Sequence, residues 1–134
     1  MSGPTAVVGA IFSGSSDGQA YIYVRGATGW PTSPGVTLDD PAAASGDDFG
    51  FSVAVSGSDV LVAAPATSTS GGQGAAYFYA MGPSGWPTTP TTTVDDPGTG
   101  SDSFGEAVAL SSSVAGIGAD TAHSNAGRAY LYGA

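Results

Sequence analysis

Residues 29–79 read GWPTSPGVTLDDPAAASGDDFGFSVAVSGSDVLVAAPATSTSGGQGAAYFY, and most of this segment occurs a second time. The tetrapeptide GWPT at 29–32 returns 56 residues later, at 85–88. The closing AYFY at 76–79 returns 53 residues later as AYLY, and an earlier partial copy contains AYIY at 20–23. A period of this length predicts an array of supersecondary units.

The composition indicates an all-β fold. Apolar runs are short, rich in Val, Tyr and Phe, and separated by clusters of Gly, Ser, Thr, Asp and Pro, which is typical of many short strands. Twenty-two glycines and nine prolines are a high content. Because the apolar segments recur in a fixed order, we interpret the chain as folded and not as disordered.

Charge and cysteine content exclude several classes of function. The chain has no Lys, its only cations are Arg25 and Arg128, and its formal net charge is −9. Nucleic-acid binding depends largely on basic side chains, so no nucleic-acid partner is expected. There is no Cys for a disulfide or a thiolate metal site. No run approaches the ~20 apolar residues of a membrane helix, so membrane insertion is not expected. The first residues do not resemble a signal peptide.

Four strand types follow from the repeat. In chain order within one unit they are type A, type B, type C and a weaker type D after each Trp-Pro. We predict type A at 51–55 and 106–110; type B at 6–10, 60–64 and 114–119; type C at 19–24, 75–80 and 128–132; and type D at 35–38 and 91–94. Type C is apolar on both faces, which favours a sheet packed between two others.

The order of strands favours a β-propeller. Four antiparallel strands with short turns, followed by a longer crossing, are how propeller blades are connected. The chain would contain about two and a half such blades. We predict one repeat domain at 1–134, divided into a partial blade at 1–38, a full blade at 39–94 and a partial blade at 95–134.

Several motifs resemble the FG-GAP repeat, which forms blades of the integrin α-subunit head and of bacterial surface propellers. They are the pairs Phe49-Gly50 and Phe104-Gly105, the small residues at 9–10, 63–65 and 118–119, and the pattern Gly-x-Ala-Tyr-x-Tyr with Tyr77, Tyr79, Tyr130 and Tyr132. The resemblance implies that each Phe packs between blades and that each Gly allows a close approach. It also implies an extracellular or cell-surface location.

The resemblance does not extend to the calcium loop. Many members of the family bind calcium between strands A and B with Asp-x-Asp-x-Asp-Gly. Here these places hold Ser56-Gly57-Ser58-Asp59 and the serines at 111–113. Calcium takes about six to eight oxygen ligands, mostly carboxylates. We therefore expect no metal and no other cofactor, with calcium the one cofactor that the resemblance leaves open.

The strand count leaves the array open at both ends. Propellers usually have about four to eight blades, so this chain alone does not close a ring. Unpaired edges recruit other strands, and Val7, Val8 and Leu131 lie in the two end strands. The chain is then a piece of a longer propeller, a subunit that closes a ring by self-association, or a subunit of a head-to-tail fibre. We favour association, and a ring over a fibre.

Two sets of residues are candidate binding sites. The acidic pairs Asp39-Asp40 and Asp95-Asp96 would bind a cation together with Asp47, Asp48 or Asp102; alternatively, each Asp before Pro starts a turn by accepting backbone N–H groups. Trp30 and Trp86 would stack on sugars if exposed, and would pack against the sheet if buried. In both cases we favour the structural role. The Tyr-x-Tyr motifs are interpreted in the same way, as packing between blades.

A catalytic role finds little support. His123 is the only histidine, and it has no counterpart in the other two copies. A Ser-His-Asp site requires a geometry that proximity to Asp120 and Ser124 does not provide. Glu106 replaces Phe51 on a face that is otherwise apolar, and we expect it at an incomplete edge or beside Arg128.

We therefore predict a non-catalytic, extracellular binding, adhesion or scaffolding module with a protein or glycan ligand, completed by further blades of its own kind. One alternative is a self-assembling fibre or surface-layer subunit, and a second is a glycan-binding propeller lectin.

Overall fold

The computed structural model describes residues 1–14, 17–43, 46–65, 73–100, 102–120 and 126–133. Within these ranges the chain forms ten β-strands and no helix. The strands are β1 (Thr5–Ala10), β2 (Gln19–Val24), β3 (Val36–Asp39), β4 (Ser52–Ser56), β5 (Asp59–Ala64), β6 (Ala75–Ala80), β7 (Thr92–Asp95), β8 (Phe104–Leu110), β9 (Val114–Ala119) and β10 (Arg128–Gly133).

The strands form three antiparallel sheets, each a meander in chain order. Sheet 1 contains β1, β2 and β3; sheet 2 contains β4 to β7; and sheet 3 contains β8, β9 and β10. β1 contacts β4, and β8 contacts β4, β5 and β6, so each sheet lies beside the next in sequence. The all-β fold with blade-like antiparallel sheets is therefore confirmed. Closure into a propeller stays a prediction.

Sheet 2 is the centre of the structure, because both of its faces are buried. Along β5, Val60, Val62 and Ala64 face one core cluster and Leu61 and Ala63 face the other, as the alternation of a strand requires. The first core cluster lies between sheets 1 and 2 and also contains Ile22, Leu38, Phe49, Tyr77 and Tyr79. The second lies between sheets 2 and 3 and contains Ala76, Phe104, Ala115, Ile117 and Ala119.

The starts of the two type A strands were predicted wrongly. Phe51 precedes β4, donates its N–H to the carbonyl of Asp48 at 3.0 Å and leaves its side chain 42% exposed. Glu106 donates its N–H to the carbonyl of Ser103 at 3.0 Å and lies within an irregularity of β8 between Phe104 and Ala107. Phe51 therefore belongs to a turn and Glu106 to the irregular start of β8, so Glu106 does not replace a core residue.

No helix in the described part of the chain is long and apolar enough to cross a membrane.

Candidate functional site

The first interface between sheets is built around Phe49 and Gly50. The Phe49 N–H donates to the carbonyl of Asp17 at 3.3 Å, on the side of sheet 1. The Gly50 N–H donates to the carbonyl of Ala63 at 3.0 Å, on the side of sheet 2. The Phe49 ring is fully buried and lies 5.6 Å from the ring centre of Tyr77, tilted by 58°. The pair therefore joins the two sheets through the backbone and fills the space between them with one ring.

The second interface repeats this arrangement between sheets 2 and 3. Phe104 is fully buried, and its ring centre lies 5.4 Å from that of Tyr130 in an edge contact. The Ser52 hydroxyl donates to the carbonyl of Gly105 at 2.7 Å. Asp48 and Ser103, which precede the two Phe-Gly pairs, both have positive φ, at 57° and 54°. The same uncommon backbone conformation thus positions each pair.

Glycines on the preceding sheet make room for each Phe-Gly pair. A Cβ atom on Gly18 would overlap the carbonyl of Phe49, and one on Gly74 would overlap the carbonyl of Phe104. Gly127 holds the equivalent place on sheet 3. Within the described residues, a Cβ atom there would meet only carbonyl oxygens of Ala119 and Asp120, at 3.5 Å or more. Sheet 3 therefore repeats the glycine with no Phe-Gly pair packed against it.

Each acidic turn contains one exposed Asp and one buried Asp. Asp40 and Asp96 are buried, whereas Asp39 and Asp95 are exposed. Asp40 accepts the N–H of Ala42 at 3.0 Å, and Asp96 accepts the N–H of Gly98 at 2.8 Å. This is the turn geometry that Asp adopts before Pro. The outer Asp39 accepts the side-chain N–H of Gln19 at 2.7 Å.

A second buried carboxylate follows each acidic turn. Asp47 and Asp102 are buried, and a Cβ atom on Gly98 would meet oxygens of both Asp96 and Asp102. Burial raises the pKa of Asp96; the N–H of Gly98 opposes this shift, and the charge of Asp102 adds to it. One carboxylate oxygen of Asp96 is buried without a hydrogen-bond partner in the described part of the chain. Across that part, no group of three or more His, Cys, Asp or Glu residues is placed to hold a metal.

The tyrosines of β6 and β10 face the cores, whereas Tyr21 and Tyr23 of β2 are partly exposed on the face of sheet 1 opposite the buried Ile22. Tyr77 and Tyr79 are buried in the first core cluster, and Tyr130 and Tyr132 pack against the second. Burial raises the pKa of Tyr79, with smaller contributions from Tyr77, Asp40 and Asp39. Burial likewise raises the pKa of Tyr132, and Tyr130 and Asp96 raise it further by smaller amounts. Each second tyrosine of the motif therefore lies near the acidic turn that precedes its own sheet.

The two tryptophans differ in their surroundings. Trp86 is half-buried against the first core cluster, whereas Trp30 is 43% exposed. Of the predicted end-strand residues, Val7 packs against the first core cluster, and Val8 and Leu131 are exposed. His123 lies outside the described residues.

An open cleft between sheets 2 and 3 was not predicted from the sequence. It has a volume of about 350 Å³, and its walls include Phe78, Val94, Leu110 and Tyr132. The signal that points to it is the Trp-Pro spacing: the sequence has two Trp-Pro segments for three type C strands.

Residues 37–79 match the family model of the FG-GAP repeat. The matched segment runs from β3 through β6 and contains Phe49, Gly50, Tyr77 and Tyr79. The resemblance to this repeat is confirmed over that segment. Comparison with curated proteins gives no match.

Proposed function

We propose that this chain is a non-catalytic binding or scaffolding module of propeller-type blades, extracellular or at the cell surface, that is completed by association with further repeats of its own kind. The match of residues 37–79 to the FG-GAP repeat supports an integrin-like module. The exposure of Leu131 is the main observation that supports the proposed association.

Leu131 occupies a position that is covered in the other two sheets. It pairs with Gly116 across β9 and β10, as Ile22 pairs with Val7 and Phe78 with Leu61. Ile22 is fully buried and Phe78 is partly buried, because another sheet packs on each. Leu131 is 76% exposed. The face of sheet 3 that carries it, here called the outer face, has apolar and small residues, and none of the sheets formed by the described residues packs on it.

Sheet 1 has the complementary exposed face. Val8 pairs with Tyr21 in the way that Val62 pairs with Tyr77 and Ile117 with Tyr130. Val62 and Ile117 are buried, whereas Val8 is 48% exposed. The chain thus presents, on its two end sheets, the equivalents of two faces that pack together in its internal interfaces, although residues 1–4 contain no Phe-Gly pair ahead of β1. Such heterologous surfaces generate rings or open filaments.

The absolute mass of the particle, measured by light scattering after size exclusion with and without a chelator, tests this proposal. A discrete small multiple of the 12.9 kDa chain supports a ring. A heavy, concentration-dependent distribution supports the alternative of a fibre or surface-layer subunit. A monomer at all concentrations contradicts self-association, and dissociation by the chelator would show that calcium takes part.

Two variants show whether the end faces are responsible. Leu131→Lys and Val8→Lys should each reduce the mass to that of the monomer, because each buries a charge in one half of the interface. Mixing the two variants should restore a particle of two chains, since each retains the half that the other lacks. Met81→Lys, at an exposed apolar residue outside both faces, is the matched control. If the mixture remains monomeric, the pairing of the two faces is contradicted.

A further inference from the structure

Trp86 lies against the space between sheets 1 and 2, which holds the first core cluster and is here called the first cleft. It follows a turn in which Gly82 and Gly85 exchange two backbone hydrogen bonds of 3.0 Å. The indole packs against the first core cluster, and its Nε1 is buried without a hydrogen-bond partner in the described residues. A tryptophan buries a large apolar area. This side chain therefore covers part of the first core cluster.

The cleft between sheets 2 and 3, here called the second cleft, has the same walls. Strand pairing relates its wall residues one by one to those around the first core cluster. The equivalent pairs are Ile22 and Phe78, Val36 and Thr92, Leu38 and Val94, Val55 and Leu110, Val60 and Ala115, and Tyr79 and Tyr132.

The second cleft lacks a tryptophan. The chain has two, and each belongs to the segment between strands C and D of its own sheet: Trp30 precedes β3, and Trp86 precedes β7. Trp86 belongs to sheet 2 and fills the first cleft, so the second cleft requires the equivalent residue on sheet 3. No described side chain holds the equivalent place in the second cleft, where Phe78 and Val94 are partly exposed, whereas their equivalents Ile22 and Leu38 are fully buried.

The edge of sheet 3 beside this cleft is also open. In sheets 1 and 2 the type C strand pairs with a type D strand, as β2 does with β3 and β6 with β7. Among the described residues, β10 pairs with β9 alone. Trp30 and Trp86 each precede the start of their type D strand by six residues. One segment can therefore pair with β10 and place its indole in the second cleft.

The lining of the cleft suits an indole. Phe78, Val94 and Leu110 supply apolar contact, and the hydroxyl-bearing residues Thr91 and Tyr132 are among its walls. An indole has an apolar ring system and one N–H donor, so it matches a mostly apolar slot with hydroxyl acceptors.

We propose that the second cleft and the edge of β10 that pairs with no described strand form one docking site for a Gly-Trp-Pro-Thr segment followed by a short β-strand, supplied by a further repeat of this type. The segment adds a fourth strand to sheet 3, as peptides do in β-augmentation. The indole in the second cleft fixes which residues of the segment pair with β10. The proposal builds on the proposed association by naming the chemistry of the partner segment, and it is tested separately.

The test is a titration of the full chain with a fluorescent peptide of residues 85–95, GWPTTPTTTVD, followed by anisotropy. The Leu131→Lys chain is used, because this change blocks the outer face of sheet 3 and leaves the second cleft intact. The matched control peptide carries Trp86→Ala. We expect the tryptophan peptide to bind at least about ten-fold more tightly than the alanine peptide.

Neighbouring residues of β7 provide the protein control. Thr92 lines the second cleft, and Thr93 faces the other side of the strand. Thr92→Arg should weaken binding of the tryptophan peptide about ten-fold, and Thr93→Arg should leave it unchanged. Equal binding of the two peptides, equal effects of the two variants, or no binding at about 1 mM peptide would overturn the docking site. If the wild-type chain is monomeric and the peptide nevertheless binds, the docking site is supported. Only the proposed self-association is then contradicted.

Discussion

Gly9 of sheet 1 lies directly against the carbonyl of Gly50, so that a Cβ atom on Gly9 would overlap the Gly50 oxygen. The backbone of the Phe-Gly pair therefore rests on the backbone of β1 without a side chain between them. Ala63 holds the equivalent position in sheet 2, and its Cβ lies against Gly105, where a second Cβ would come within 2.8 Å. The close approach between sheets thus depends on having at most one methyl group at this point.

Gly9→Ala is expected to destabilise the chain by about 1–3 kcal/mol, the usual cost of overpacking a rigid contact. Gly9 has no positive φ, so the cost is steric and not conformational. Gly82→Ala is the matched control, because a Cβ atom there meets nothing within 4 Å. Urea unfolding of both variants measures the difference. If both lose the same stability, the contact between Gly9 and Gly50 does not hold the sheets at their observed spacing.

Phe104→Leu is expected to reduce the free energy of unfolding by about 1–2 kcal/mol, since it removes the ring contact with Tyr130 and leaves a small void. Phe12→Leu, at an exposed ring, should change it by less than about 0.5 kcal/mol. Thermal unfolding compares the two. Equal shifts would mean that the Phe-Gly motif has no special packing role in the second interface.

The strand order could be predicted from the sequence because its signals are local. Alternating apolar residues mark strands such as β5, and the Gly and Pro clusters mark the turns between them. The start of β4 was predicted one residue early and that of β8 two residues late, because positive φ at Asp48 and Ser103 places a turn at the beginning of each strand. A left-handed residue other than Gly leaves no clear mark in composition.

The different environments of Trp30 and Trp86 could not be predicted from their similar sequence contexts, which share Gly-Trp-Pro-Thr. Both follow a Gly-to-Gly turn and precede Pro-Thr, and the two turns have the same hydrogen bonds. Trp86 is half-buried because sheet 1 lies beside sheet 2. Its burial therefore depends on how two repeat units pack together and not on the sequence within one unit. The open second cleft follows from the same relationship and becomes visible only when the sheets are placed.

Tyr79→Phe is expected to stabilise the chain by about 1 kcal/mol or to leave its stability unchanged. The Tyr79 hydroxyl is buried without a hydrogen-bond partner in the described part of the chain, and burying an unpaired polar group is costly. Tyr21→Phe is the control: its hydroxyl donates to the side chain of Gln19 at 2.7 Å, so its removal should cost up to about 1 kcal/mol. A marked loss of stability in Tyr79→Phe would show that this hydroxyl has a partner, such as a bound water.

Asp96→Asn should change how stability depends on pH. Because the pKa of Asp96 is raised above its ordinary value of 3.8, the folded chain binds this proton more tightly than the unfolded chain does. Stability from this group is fully present below pH 3.8 and is lost as pH rises through the raised pKa. Asn has no proton to lose and retains an oxygen that accepts the Gly98 N–H.

The variant should therefore be about 1 kcal/mol more stable than the wild type near pH 7, and the difference should shrink toward pH 3. Asp120→Asn, at an exposed residue, removes one acidic side chain from the surface and serves as the control. Urea unfolding of the wild type and of each variant at several pH values measures how the stability of each depends on pH. A variant less stable than the wild type at neutral pH would mean that ionised Asp96 is stabilised in the folded chain, and a cation shared with Asp102 would then be the first explanation to test.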